Sequence, residues 1–405
     1  VDFSAIEFDD ELRRFRDDEV RPFLAEQLTD DVLARERHEG NGFVPTYQRA
    51  LAARGWLEPW LGGAGGLDPV RAAVLEVEQA AWVGPLFPVQ GSHALVMQVV
   101  RQFGSNELKA EIAAGVQAGE IQACLGYTEP DCGSDAAAIR TRAVRDGDEW
   151  RITGQKMFST GAHLSQFVML TARTNPDVAK HQGITMFLVP LEGPGIDVQG
   201  IGTLGGERTN FVYLDDARVA DRYRLGPVDQ GWAIASGALA AEHGMGDASS
   251  ADHRTADLRN VIASTAGWQG TLRDVLAAAE HWAESTVRPD GSRMIDDPMV
   301  RTRLARVALD CAISEFTPNP FRRVVASDVF IRDVADLVEL IGPNALIPEG
   351  EDGAVEGGVI EWAHRFAQGT SIYGGTTDVQ RNLIAEHVLG LPRHRSVLRR
   401  SASSR

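Results

Sequence analysis

Ile184-Thr185-Met186-Phe187-Leu188-Val189 is a short β-rich run, and the chain around it differs in texture from the sequence on either side. Companion runs are Trp150-Arg151-Ile152, Phe167-Val168-Met169-Leu170 and Phe211-Val212-Tyr213-Leu214, punctuated by turn residues such as Asp146-Gly147-Asp148 and Thr153-Gly154. Strands at this spacing, with no helices between them, predict a small antiparallel barrel or sandwich over residues 121–226. Working outward, Asp10–Gln27 and Asp68–Trp82 carry helical spacing, with the turn Gly62-Gly63-Ala64-Gly65-Gly66 between them. Beyond the strands, Leu272–Thr286, Pro298–Ser314 and Asp328–Ile341 return to helical periodicity, and Glu349–Gly358 reads as an exposed acidic loop. The expected organisation is mixed: a helical N-terminal domain over 1–120, a central β-domain over 121–226 and a helical C-terminal domain over 227–405.

The 405 residues amount to about 2.7 domains' worth of chain, enough for a large core and too many for a stapled mini-protein. Against 40 basic residues stand 57 acidic ones, a net charge of −17 that argues against a nucleic-acid binder. Apolar residues at 43% and charged residues at 24% fit a soluble globular protein. The three cysteines, Cys124, Cys132 and Cys311, form no disulfide framework, which points to a reducing, cytoplasmic setting. Cys124 and Cys132 have no nearby histidine or cysteine partner, so no metal site is expected. The start, Val1-Asp2-Phe3-Ser4, lacks signal-peptide form. Gln79–Val100 is free of charged side chains but contains Pro85, Pro88 and His93, and reads as a buried turn and helix with no membrane span. After Glu386 the tail is basic, with Arg393, Arg395, Arg399, Arg400 and Arg405, and fits a frayed terminus or a partner contact.

Four segments carry chemistry. No Gly-x-Gly-x-x-Gly loop, Walker lysine loop, nucleophile elbow or His-Glu-x-x-His helix is present. Leu125-Gly126-Tyr127-Thr128-Glu129-Pro130-Asp131-Cys132-Gly133-Ser134-Asp135 offers hydroxyls, small residues and exposed amides that can approach a flat polar ring or a pyrophosphate. It fits a plain β-turn with an Asx-type cap as well. In Thr153-Gly154-Gln155-Lys156-Met157-Phe158-Ser159-Thr160-Gly161-Ala162, Phe158 and Thr160 share one side of a strand. That suits a planar heteroaromatic ligand, or a core phenylalanine beside a ladder threonine. Trp232, Ala235, Leu239 and Glu242 fall within about 80° of one another on a helix, which puts Glu242 on an apolar stripe. Desolvation there raises a carboxylate toward the range useful for proton transfer. The helix can instead end at Gly244-Met245-Gly246, with Glu242 exposed or paired with His243. Lastly, Ile372-Tyr373-Gly374-Gly375-Thr376-Thr377-Asp378-Val379-Gln380-Arg381-Asn382 can form a helix N-terminus suited to a phosphate or ring carbonyl.

In order and spacing these segments resemble the acyl-CoA dehydrogenase family: Leu125–Ser134 its flavin loop, Lys156–Thr160 its second flavin segment, and Tyr373–Gly390 with Leu391-Pro392-Arg393 its C-terminal signature. The resemblance implies the family fold, with an N-terminal helical domain, a central antiparallel β-barrel or sandwich and a C-terminal four-helix bundle. It also implies FAD as cofactor and α,β-desaturation of an acyl-CoA. Leu125, Tyr127, Thr128, Gly133, Ser134, Phe158, Ser159, Thr160, Arg288, Thr376, Thr377 and Asp378 would hold FAD. Ser134, Glu242, His243 and Gly375 would meet the substrate. Many members carry the catalytic Glu immediately before the Gly-Thr of the signature, where this chain has Gly374. A minority carry it on the first helix after the β-domain, and Glu242 stands at that place. It would remove the Cα proton while hydride leaves Cβ for flavin N5.

Other positions depart from the family. His243 replaces the usual Arg after the base. The adenosine-binding pattern is reduced to Arg288 and Gly291, with Arg301 at the Gln position, and the later Gln-x-x-Gly-Gly segment reads Glu339-Leu340-Ile341-Gly342-Pro343. Such erosion implies a partner subunit completing the site, as in the actinobacterial α2β2 enzymes of steroid side-chain degradation, which Ala172–Ile184 also resembles. A bulky or polycyclic acyl group, a homotetramer or α2β2 heterotetramer, and an electron-transferring flavoprotein as acceptor are the corresponding expectations. Alternatives are an acyl-carrier-protein thioester dehydrogenase, a flavin monooxygenase on the same fold, and a non-catalytic partner subunit. Monooxygenase members need no Cα base, so Glu242 on the apolar face weighs against the second, and retention of Thr128, Ser134, Thr160 and Glu242 weighs against the third.

Overall fold

The structure is a computed structural model that describes residues 9–57, 66–83, 88–242, 268–317 and 321–392. The described residues divide into two compact units, one within residues 9–242 and the other within residues 268–392.

The first unit begins with helices α1 (Asp10–Arg14), α2 (Arg21–Gln27), α3 (Asp30–Glu39), α4 (Pro45–Ala53), α5 (Pro69–Val83), α6 (Pro88–Phe103) and α7 (Asn106–Gln117). A π-helical stretch, Phe15–Val20, joins α1 to α2. The helix starts are written locally. Asp9 Oδ1 accepts from Leu12 N (2.9 Å), Ser105 Oγ accepts from Leu108 N (3.1 Å), and Pro45 opens α4. Phe15, Val20, Phe23, Leu24, Tyr47, Leu51 and Val74 form one buried cluster, each large side chain contributing about 1.5–3 kcal/mol.

The sheet follows: β1 (Ala123–Gly126), β2 (Arg142–Asp146), β3 (Glu149–Lys156), β4 (Phe167–Arg173), β5 (Ile184–Pro190), β6 (Ile196–Gly202), β7 (Arg208–Ala220) and β8 (Arg224–Leu225). Their order is β6-β7-β3-β2-β4-β5-β8, with β1 alongside β4. The sheet is mostly antiparallel, but β1 and β2 pair with β4 in parallel. β1 reaches β4 only after the β2–β3 hairpin has intervened, which gives the crossover a parallel pair requires. In β4 and β5 every residue but the last is buried, because α6, α7 and the sheet share one core. Strands covered on both faces carry near-continuous apolar runs, hence Ile184–Val189, broken only by the buried Thr185. Helix α8 (Gly231–Glu242) closes this unit, with Ile234 and Ala235 in the same core. An added Cβ at Gly231 would lie 2.7 Å from Met186 N, so only glycine lets α8 start this close to β5.

The second unit holds α9 (Trp268–Ser285), α10 (Pro298–Phe316), α11 (Phe321–Ile341), α12 (Val359–Thr370) and α13 (Thr377–Leu383). The first four share a core at helical spacing: Leu272, Val275 and Ala279; Val300, Leu304 and Val307; Phe330, Val334 and Leu337; Ile360, Ala363 and Ala367. This is the expected four-helix arrangement. Between α11 and α12, residues 349–354 are turns and Val355–Gly358 is a short 3-10 helix. All three cysteines are free and buried. Among the described residues no helix is long and apolar enough to cross a membrane, and no cluster of metal-ligating side chains occurs. His243 and the basic tail from Arg393 lie outside the described residues.

Candidate active site

β1 ends at Gly126, and the loop after it turns back at once. Glu129 N donates to Cys132 O (2.9 Å) and Cys132 N to Glu129 O (3.1 Å), which closes a turn over Pro130-Asp131. The Glu129 carboxylate faces inward, 6% exposed. It accepts from Arg140 N (2.6 Å), Thr141 N (3.1 Å) and Lys156 Nζ (2.7 Å). Lys156 ends β3 and is fully buried. Burial works against the charge on Glu129, but Lys156 and the surrounding hydrogen bonds outweigh it and hold the carboxyl below its ordinary range. Burial also pulls the Lys156 ammonium below its ordinary range, and Glu129 opposes that.

The two predicted ligand segments therefore meet. Besides the ion pair, Met157 N donates to Thr128 O (2.9 Å). Leu125 and Tyr127 are half-buried against the core, Thr128 is half-buried, and Gly133 and Ser134 are exposed. Asp135 pairs with Lys180 (2.5 Å), which ties the loop to the 174–183 turn. Phe158 adopts φ 58°, a left-handed conformation that costs a bulky residue about 1–3 kcal/mol, and its side chain is 55% exposed. A strained backbone that presents an aromatic ring to solvent is not a core phenylalanine. Ser159 is buried with no hydrogen-bond partner for Oγ. Thr160 Oγ1 donates to Thr209 Oγ1 (3.2 Å).

Helix α8 starts beneath this loop. Trp232 packs against the cluster of Cys132, Ala137, Ile139 and Ile184, with the His181 ring 5.0 Å away. A cleft of about 360 Å³ opens there between Asn175, His181, Gly183, Asp229 and Trp232. Glu242 is the last residue of α8. Its side chain, and that of Leu239, lie outside the described residues.

In the second unit, Arg288 pairs with Asp297 and donates from Nε to Met294 Sδ (3.3 Å). Gly374 (φ 63°) and Gly375 (φ 77°) form the turn before α13, and Thr376 caps that helix by accepting from Val379 N (3.2 Å). Arg323 donates to the carbonyls of Tyr373 and Gly375, and Gln380 Nε2 to Gly374 O (3.2 Å). Thr377 is buried, while Asp378 is exposed and pairs with Arg381 (3.2 Å).

Glu129 and Lys156 lie inside the sequence motifs without a role that the motifs mark, and Asn41, His163 and Asn210, linked by hydrogen bonds to the Ser159 carbonyl, lie outside any motif. One signal was available: Trp150, Ile152 and Lys156 fall on the same inward-facing set of β3, so a lysine there needed a buried partner.

Comparison with known proteins gives a consistent result. Family models described as acyl-CoA dehydrogenase N-terminal, middle and C-terminal domains match residues 9–120, 124–217 and 320–389. Acyl-CoA dehydrogenase FadE26 of Mycobacterium tuberculosis is 30% identical over 417 residues, covering 95% of this chain and 97% of that protein. Acyl-CoA dehydrogenase IpdE1 of the same organism is 29% identical over 405 residues, covering 93% and 97%. Among solved structures, the ChsE4–ChsE5 complex from Mycobacterium tuberculosis matches with a TM-score of 0.78 at 25% identity, covering 96% of this chain and 100% of that one. The Tcur3481–Tcur3483 steroid ACAD matches with a TM-score of 0.77 at 25% identity and the same coverage.

Proposed function

The chain belongs to the acyl-CoA dehydrogenase family and is an FAD-dependent oxidoreductase that desaturates acyl-CoA thioesters, and from that premise we propose that Glu242 is its catalytic base. The observation that carries this is helix α8. It runs unbroken from beneath the Thr128–Ser134 loop to Glu242, and the inward residues of its first turns are buried. Glu242 stands ten positions after Trp232, about 15 Å further along the same helix. Gly374 removes the other position at which the family holds this base.

The residues present fit a flavin. The Ser159 hydroxyl is buried without a partner, the Phe158 ring is exposed from a strained backbone, and a Cβ at Gly133 would meet only Thr128 Cγ2 at 4.0 Å, leaving room for close approach. In this reading Thr128, Ser134, Phe158, Ser159 and Thr160 hold the ring end. Bound FAD supplies the two-electron acceptor for the hydride leaving Cβ. Glu242 takes the Cα proton as general base. Loop hydroxyls and amides orient the thioester carbonyl so that developing negative charge meets hydrogen-bond donors.

For the acyl group we propose a bulky or polycyclic one, and for the assembly a heterotetramer in which a partner subunit completes the cofactor site. Two things support this: the eroded adenosine-binding pattern, and the likeness to one complex of two chains and to one steroid enzyme. An electron-transferring flavoprotein is the proposed acceptor and the cytoplasm the proposed setting. Anaerobic titration of the yellow holoenzyme with a panel of acyl-CoAs tests the substrate. Straight short chains that bleach the flavin as fast as bulky ones overturn the proposed class. Glu242→Gln tests the base: the flavin stays bound while acyl-CoA-dependent bleaching slows by about 10²–10⁴-fold. Unchanged bleaching removes Glu242 from the mechanism.

A further inference from the structure

Phe158 holds a left-handed backbone that something must enforce, and the enforcement comes from behind it. Ser159 N donates to the main-chain Asn210 O (2.9 Å) and Asn210 Nδ2 donates back to Ser159 O (2.9 Å), so one fully buried residue of β7 holds both backbone polar groups of Ser159, the N–H through its carbonyl and the C=O through its side chain. The amide of Asn210 is oriented in turn. Its second hydrogen points to His163 Nδ1 (3.2 Å), and its Oδ1 accepts from Arg208 Nε (3.4 Å). His163 lies in the 3-10 turn Ala162–Leu164, and its Nε2 meets Asn41 Oδ1 at 2.7 Å. Asn41 Nδ2 donates to Glu39 Oε2 (2.6 Å) at the end of α3.

The polarity of this chain follows from its outer end. An ionised carboxylate only accepts, so Asn41 must turn its NH₂ to Glu39 and its carbonyl to His163. His163 must then carry its proton on Nε2 and leave Nδ1 free to accept from Asn210. A second proton on the imidazole would set two donors against each other at Nδ1. Burial first, and then the charge of Arg208, push His163 down to about 4, with Glu39 opposing, so the ring is neutral at physiological pH. The outer end is anchored as well. Gly40 has φ 63°, its carbonyl accepts from Arg208 N (2.8 Å), and an added Cβ would lie 2.4 Å from Gly206 O.

We infer that His163 is a positioning residue: bridged between Asn41 and Asn210, it locks the Phe158–Thr160 turn in the shape that receives the flavin ring, and so couples the α3–α4 turn to the cofactor face. This rests on the reading of Phe158–Thr160 as a flavin segment.

The test uses purified holoenzyme and the apoprotein derived from it, with three variants. Readouts are FAD affinity by titration of apoprotein, the visible circular dichroism of bound flavin, and the thermal midpoint of apoprotein. His163→Ala is expected to weaken FAD binding at least tenfold and alter the visible dichroism, with the apoprotein midpoint within a few degrees of the parent. His163→Asn, whose Oδ1 can replace Nδ1 as acceptor for Asn210, is expected to recover most of the affinity and the parental dichroism. An His163→Ala protein with parental affinity and dichroism overturns the inference. So does an His163→Asn protein no better than His163→Ala, because the Asn210 bond then does nothing. Phe158→Ala separates the two claims. If it changes the flavin dichroism while His163→Ala does not, only the relay falls. If it leaves dichroism and affinity untouched, the flavin reading of this segment falls and the relay with it.

Discussion

Replacing Lys156 by Met tests the structural center of the site. The substitution keeps the volume and removes the charge, leaving the Glu129 carboxylate in a place that is 6% exposed with two backbone N–H donors and no hydrogen-bonded cation, Arg173 acting on it only at longer range. Removing one partner of a buried ion pair costs about 3–5 kcal/mol, because the remaining charge is uncompensated. The two N–H bonds put this case at the low end, about 3 kcal/mol. For a unit of this size that is a fall of roughly 6–12 °C in thermal midpoint. The cost depends on pH in a definite direction. In the parent, Glu129 sits below its ordinary range, so its contribution is present above the carboxylate's unfolded pKa and is lost as pH falls through the lower folded value. In Lys156→Met the lysine no longer opposes burial and the remaining hydrogen bonds oppose it less strongly, so that carboxyl rises from its parental position. Protonation then relieves the stranded charge, and the gap between variant and parent narrows as pH falls. The assay is urea denaturation of apoprotein at two pH values for the parent, Lys156→Met, Glu129→Gln and the double variant. The double variant is expected to recover most of the loss at neutral pH, since a neutral pair carries no stranded charge. A single variant within 1 kcal/mol of the parent, or a double variant that is worse than both singles, refutes the reasoning.

His93 accepts a hydrogen bond from Ala123 N (3.2 Å), and burial pushes it down to about 4. Unfolded chain takes up a proton near pH 6.5 that the folded state refuses until about 4, so this residue removes about 3 kcal/mol of stability as pH falls across that window. His93→Gln should flatten that part of the pH–stability curve, and an unchanged curve shows that His93 is not the cause. Glu36 runs the other way: burial raises it to about 7, so its contribution declines as pH rises from its unfolded value through 7, and Glu36→Gln should remove that decline in the same denaturation series. Ser159→Ala removes a buried hydroxyl with no partner. Apoprotein stability should hold or rise by up to about 1 kcal/mol while FAD affinity falls severalfold in the same titration, a divergence that simple packing damage would not give.

Much of the layout was legible because it is local. The strand runs at Phe167–Leu170 and Ile184–Val189 and the helical runs at Leu272–Thr286, Pro298–Ser314 and Asp328–Ile341 all lie on elements of the expected type. Period-two and period-3.6 patterns are written in neighbouring residues. The ligand loop and its companion segment could be marked from hydroxyls, glycines and an aromatic. What each does could not, since Leu125–Asp135 fits a β-turn and a ligand cradle alike, and it is in fact a β-turn whose far side is open.

The sequence by itself determined the identities available for the chemistry: a glutamate at the end of one helix, a glycine where another base would stand, hydroxyls on two short segments. Tertiary structure decided which of them have company. Glu129 finds Lys156 across 27 positions, and Asn41 finds His163 across 122. Those meetings depend on β3 ending beside the β1 loop and on the α3–α4 turn lodging against the β6–β7 turn. No local pattern encodes them, because chain closure over such spans is set by burial of the whole core and not by the residues that end up in contact. The same global packing covers β4 and β5 on both faces and gives the exposed Phe158 ring a rigid backing.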